Sequence, residues 1–320
     1  MSNTASSSLT SGFVSLLSRR KWTKEELDYS PYGYQPVLSA PLIFTILFGI
    51  SALWHLAQNL KYRQWWLLTM TFGCLFEMVG NACRVYGHFK PFNSDVYTAM
   101  QTILVITPAL FAAVDFTILG RLATLFPSKY SLVNPKWIVP FFVVLDVSSI
   151  AVQGGGSGVA ASAQSERKDT TFGGNIVVAG LAIQLVGYLL FDLLLFVFVR
   201  RCMLQPPSPK YWNSEIKTFI AATAVSSMLI FIRSLFRLIE MIVGWEGIIA
   251  RSEWSFYTFD AAMVTLAVFV LNVWNPAKYL PADFSWKKSN NGEEQDDRAS
   301  SPLDFEKPAR DSASQSVETA

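Results

Sequence analysis

Charge and histidine are scarce in this 320-residue chain: 16% of residues are charged, and there are two histidines and three cysteines. A soluble domain carries about 25% charged residues. Two histidines, His55 and His88, cannot build a three-histidine zinc site of the seven-span hydrolase type. Cys74 and Cys83 fall in an apolar segment and Cys202 in a basic loop, so they read as unpaired thiols and not as a disulfide framework. No Asn-x-Ser/Thr acceptor, no Gly-Lys-Ser/Thr phosphate loop and no Gly-x-Ser-x-Gly elbow occurs. ATP-driven pumping and serine-hydrolase chemistry are therefore excluded. No lysine lies in the middle of the last apolar run, which rules out a retinal Schiff base. An enzyme would be left with bare carboxylates, so no catalysis and no cofactor is expected. A net charge of +2 gives no reason to expect nucleic acid as a partner. The pattern of a cleavable signal peptide is missing, because the first apolar run starts late and is full length. Ten-residue alternating strands are missing too, which argues against a membrane β-barrel.

What is present is apolar sequence in long runs. Hydrophobic residues make up 51% of the chain and the mean hydropathy is +0.31. The fold class expected is all-α, a polytopic membrane protein with seven transmembrane helices. The spans read as 36–57, 65–86, 96–123, 137–153, 175–199, 216–244 and 254–274. Pro108 is expected to kink the third, and the fourth to end in the flexible run Gly154-Gly155-Gly156. Residues 1–33 form an N-terminal tail, partly disordered, in which Gly12 to Trp22 suits a short interfacial helix. Residues 34–280 form the membrane domain, and 281–320 a disordered acidic tail. Lys and Arg are more numerous on the loops that share a side with the C-terminus. The positive-inside rule then puts the N-terminus outside and the C-terminus in the cytosol, with the cluster Arg19, Arg20, Lys21 and Lys24 dissenting.

Ionisable residues inside apolar spans are costly and mark function by default. Arg233, Arg237 and Glu240 recur at i, i+4 and i+7, one stripe on span 6. Glu77 and Arg84 share a face of span 2, with Gly80 between them allowing close helix approach. The two stripes have complementary signs, and the expectation is that they face each other or share a cavity, with Glu77 near Arg233 and Arg84 near Glu240. Gln101 and Asp115 lie on span 3, Asp146 and Gln153 on span 4, Gln184 and Asp192 on span 5, and Asp260 on span 7. A structural network locking the bundle is the alternative to a substrate or proton path.

Several motifs resemble the fungal lipid-translocating exporter family, which includes aminocholesterol-resistance and sphingoid long-chain-base-resistance proteins. They are Glu77-x-x-Gly80-x-x-x-Arg84; Gln101 with Pro108-Ala109 and Leu119-Gly120-Arg121; and Asp146, Ser149 and Gln153-Gly154-Gly155-Gly156. Gly180 and Gln184, then Arg233, Phe236-Arg237 and Glu240, then Glu253, Tyr257 and Asp260 complete the set. The likeness covers about Tyr34 to Pro276. It departs at Asp115, where the family is usually apolar, and at Asn275-Pro276, where the family usually shows His-Pro.

The resemblance implies a seven-span membrane protein of the plasma membrane, with an endomembrane as the alternative. It implies movement or efflux of sphingoid long-chain bases or related sterol-like amphiphiles, and a contribution to lipid or drug resistance. Membrane lipids are then the partners. A long-chain base is a cation with an apolar tail, and Glu240 and Asp260 are expected to receive its amine. The rival is a seven-span lipid sensor or receptor without transport, supported by topology and by Asn275-Pro276-x-x-Tyr279. Such a receptor would need a cytosolic partner, whose identity the sequence does not give.

Overall fold

A computed structural model describes residues 22–28, 30–166, 168–207, 212–244 and 252–280. The readings made for residues 12–21 and 281–320 fall outside the described residues. Seven helices are long and apolar enough to cross a membrane. They are α1 (Ser39–Tyr62), α2 (Leu68–Phe89), α3 (Ser94–Leu125), α4 (Pro135–Ser165), α5 (Thr171–Leu204), α6 (Ser214–Val243) and α7 (Glu253–Tyr279). The chain is an integral multi-pass membrane protein. Short connections make consecutive helices antiparallel neighbours, and each packs on the next. One end of the bundle, where α1, α3, α5 and α7 begin, is called the first end below; the other is the second.

The helix starts follow local chemistry. Asn93 caps α3 by accepting from the Val96 N–H at 3.2 Å, and Asn213 caps α6 by accepting from the Ile216 N–H at 2.8 Å. Helix α7 is composite. It is α-helical over Glu253–Phe256, π-helical over Tyr257–Ala261 and α-helical over Ala262–Val273. Asn275 then caps the turn Pro276–Tyr279 by accepting from the Ala277 N–H at 2.7 Å, and its Nδ2 donates to Gln58 of α1. Tyr279 stacks on Phe219 of α6 at 4.8 Å. The segment that mimics a receptor ending is thus a capped turn docked against α1 and α6.

The fourth span departs from expectation. Its helix does not stop at the glycines but runs through Gly154, Gly155 and Gly156 to Ser165. The reason is packing. A Cβ on Gly156 would stand 2.8 Å from the Val177 nitrogen, and one on Gly173 would stand 2.4 Å from the Ala160 nitrogen. A Cβ on Gly180 would meet Gln153 and the Ser149 carbonyl. Small residues let the α4 and α5 backbones approach closely, so the pair extends as one hairpin at the first end. The core between α3, α4 and α5 is aromatic: Phe116 stacks on Phe142 at 4.8 Å and meets Phe191 edge-on at 5.0 Å.

Candidate functional site

The polar residues expected inside the spans sort into two clusters, a separate site around Arg84, a Gln101–Tyr97 contact and one helix–helix contact. The first cluster joins α2, α3, α6 and α7. Arg233 and Arg237, one turn apart on α6, both reach Asp260 of α7. Arg233 Nε lies 2.6 Å from Asp260 Oδ1, and Arg237 Nη2 lies 2.7 Å from Oδ2. Arg237 Nη1 also donates to Glu240 at 3.0 Å, one turn along the same helix. Asp260 stands on the π-helical turn of α7, the kind of local unwinding that recurs at functional sites. Burial of these groups is nearly complete: Arg233, Arg237 and Asp260 are 3–4% exposed. Separated charges at that depth would be very costly, so the three hold one another in place.

Proline supplies the other partner of Arg233. Pro108 has no N–H, so the Leu104 carbonyl one turn earlier loses its helical donor. Arg233 Nη2 donates to that carbonyl at 2.7 Å. Gly80 of α2 backs onto the Leu104 side chain. Pro108, read in sequence as a kink, therefore exposes an acceptor for a buried arginine.

The expected pairing of the two stripes is corrected in detail. Both stripes lie inside the bundle, but Arg233 pairs with Asp260 and not with Glu77, and Arg84 does not pair with Glu240. Arg84 Nε donates to the Tyr257 hydroxyl at 3.1 Å and Nη2 to the Tyr34 hydroxyl. Glu253 lies 3.9 Å from Arg84 Nη2 and accepts from the Val37 N–H at 3.0 Å. Burial pushes the Tyr32 phenol up to about 12 and raises that of Tyr34 further, so both stay neutral beside the guanidinium. The Arg84 guanidinium sits 4.0 Å from the Phe256 ring centre, and Arg237 lies 5.3 Å from the same ring. One aromatic side chain thus separates the two basic sites.

Glu77 is left over. It is 2% exposed, and its Oε1 makes no hydrogen bond among the described residues. It lies within electrostatic range of Arg233, Arg237 and Asp260, yet neither arginine bonds to it. Asp260, expected in sequence to be spare, is saturated by two guanidiniums. Gln101 turns its amide to the Tyr97 hydroxyl at 3.1 Å and joins no ion pair among the described residues.

The second cluster lies between α3, α4 and α5. The Tyr188 hydroxyl donates to Asp115 Oδ2 at 2.7 Å, and Asp192 and Asp146 lie within electrostatic range of the same phenol. No salt bridge reaches Asp115, Asp146 or Asp192 among the described residues. Gln153 and Gln184 form the remaining contact, 3.2 Å apart across the α4–α5 interface beside Gly180. Sequence reasoning did not find Tyr34 or Tyr188. A tyrosine near a buried charge carries no spacing signal of its own.

A family model described as RTA1 like protein matches residues 70–283. The chain is 30% identical over 268 residues to Protein RTA1 of Saccharomyces cerevisiae, covering 76% of this chain and 83% of the relative. It is 28% identical to a lipid-translocating exporter-like protein RTA1 of Leptosphaeria maculans, covering 79% of this chain and 52% of that protein, about half its length. It is 25% identical over 279 residues to a sphingoid long-chain base transporter RSB1 of S. cerevisiae, covering 76% of this chain and 72% of the relative. No solved structure matches.

Proposed function

Because this chain belongs to the RTA1-like protein family, we propose that it moves lipids with a cationic head, foremost sphingoid long-chain bases, between the leaflets of the plasma membrane. Resistance to lipid or drug stress follows from that activity. The names of two relatives, a lipid-translocating exporter-like protein and a sphingoid long-chain base transporter, support the class of substrate. The observation that carries the reading is Glu77. Arg233, Arg237 and Asp260 stand around it, and Arg237 ties in Glu240, so that the network holds two guanidiniums and, with Glu77, three carboxylates. With all five ionised, the group is one positive charge short. A single ammonium restores balance, and Glu77 Oε1 is an acceptor without a hydrogen-bond partner among the described residues. Arg233 and Arg237 fix Asp260 and keep it from competing for the amine. Glu240, itself held by Arg237, sits closer to the first end and suits a transient contact on the way in or out.

The test uses the purified full chain in phosphatidylcholine liposomes, with a fluorescent sphingoid base and a fluorescent phospholipid. The wild type is expected to flip the base faster than the phospholipid, and Glu77→Gln to abolish that preference. Equal rates for the two lipids would refute the cationic selectivity. No flip of either lipid, with binding of the base retained, would make the protein a lipid sensor.

A further inference from the structure

We propose that a buried polar column between α1, α2 and α7 delivers protons to Glu77, where a proton and the substrate's ammonium exchange on one carboxylate. This rests on the transport reading above and names its coupling ion. Ser51, His55 and Asn59 recur at i, i+4 and i+8, a single line along one face of α1. The line covers about 12 Å of helix. All three residues are buried, at 1%, 1% and 3% exposure.

The line faces α2 and α7. Asn59 Nδ2 donates to Thr71 Oγ1 of α2 at 3.1 Å. The His55 ring lies beside the Val268 backbone of α7, without a well-formed hydrogen bond. Gly49, half a turn before Ser51, backs onto Met78 of α2. In this antiparallel pair Ser51 therefore stands at the height of Glu77. Asn272 of α7, one turn beyond Val268, is buried, and its carbonyl accepts from Gln58 Nε2 at 3.1 Å.

These side chains share one property. Ser51 Oγ, Asn59 Oδ1, both amide atoms of Asn272 and Glu77 Oε1 make no hydrogen bond among the described residues, and neither ring nitrogen of His55 makes a well-formed one. An unsatisfied buried polar atom costs about 1–3 kcal/mol. A purely structural interface would replace such groups with apolar ones. A row of them with a histidine in the middle and a glutamate at one end is instead the composition of an intramembrane proton relay. Imidazole can take a proton on one nitrogen and release it from the other, which is what a relay requires.

Other titratable groups near the column are Cys74 and Glu77 from α2 and Asp260 from α7. Arg233 and Arg237 of α6 lie behind Asp260. The exchange balances. Glu77 releases the ammonium and takes one proton from His55, and His55 is recharged past Asn59 and Asn272. One positive charge replaces another, and no redox partner is involved.

The experiment reconstitutes the full chain in phosphatidylcholine vesicles with the lumen one pH unit more acidic than the medium. The probe is a fluorescent, N-trimethylated sphingoid base, whose permanent charge prevents it crossing as a neutral amine. Accumulation by the wild type should approach about tenfold for each proton exchanged. His55→Gln should remove that accumulation, while Leu53→Ala, on the outer face of α1, keeps it. Thermal unfolding reports whether each variant folds. Should His55→Gln fail to fold, Asn272→Leu interrupts the same column from α7 and should give the same loss. Base flip in the wild type that ignores the gradient, or full accumulation in both column variants, would overturn the exchange and leave transport standing. No movement of any base by the wild type would remove the transport reading and the exchange with it.

Discussion

Asp260 and Asp115 are both buried aspartates in the same bundle, one between two guanidiniums and the other against a phenol. The Asp260 cluster mixes signs and ties α6 and α7 to the freed carbonyl on α3. The Asp115 cluster sets Asp115 against Tyr188 inside the aromatic core of α3, α4 and α5, with Asp146 and the half-buried Asp192 near the same phenol. Helix α3 belongs to both: Leu104 serves the first cluster and Asp115 the second, about 16 Å apart along the helix. Buried charge is held here in two ways. Where arginines are present, ion pairs fix the geometry. Where they are not, hydrogen bonding by a neutral hydroxyl takes their place. Only the first arrangement leaves a defined deficit of one positive charge, and it lies nearer the end where Arg84 and its tyrosines sit.

Substitutions can break that contrast. The largest effect is expected for Asp260→Asn, which strands two buried guanidiniums and should cost about 3–5 kcal/mol, read as thermal unfolding in detergent. Tyr188→Phe removes one buried donor and leaves Asp115 Oδ2 without its partner, a loss of about 1–3 kcal/mol in the same measurement. Asp115→Asn keeps an oxygen for the Tyr188 hydroxyl and should cost about 1 kcal/mol or less. Equal losses for Asp260→Asn and Asp115→Asn would erase the distinction between the clusters. Smallest of all should be the effect of Glu77→Gln on stability, since Oε1 has no hydrogen bond to lose among the described residues. Its consequence should appear in transport instead.

The seven spans were legible because an apolar run of that length has few places to go except across a bilayer, and the asparagines before α3 and α6 cap them as their chemistry suggests. The fate of Gly154 to Gly156 was not legible. Three glycines read locally as a helix end, and only the neighbouring backbone of α5 makes them a packing surface. The stripes on α2 and α6 were readable by spacing, but their partners were not. Asp260 reaches both arginines from a π-helical turn, and helical spacing cannot anticipate the register such a turn gives. Pro108 was visible as a helix breaker, whereas the use of its orphaned carbonyl by Arg233 depends on α6 lying alongside. Ser51, His55 and Asn59 were there to be read at i, i+4 and i+8. His55 read only as one of two histidines too few for a zinc site, and Ser51 and Asn59 beside it carry no charge to mark the line.

The most direct test of the account is the equilibrium binding of a sphingoid base and its N-acetylated, uncharged analogue to the purified protein and to Glu77→Gln. The wild type should prefer the charged base, and the variant should bind both alike, with the apolar tail still held. Equal binding of the two by the wild type, or an undiminished preference in Glu77→Gln, would contradict the claim that the Glu77 carboxylate receives the cationic head.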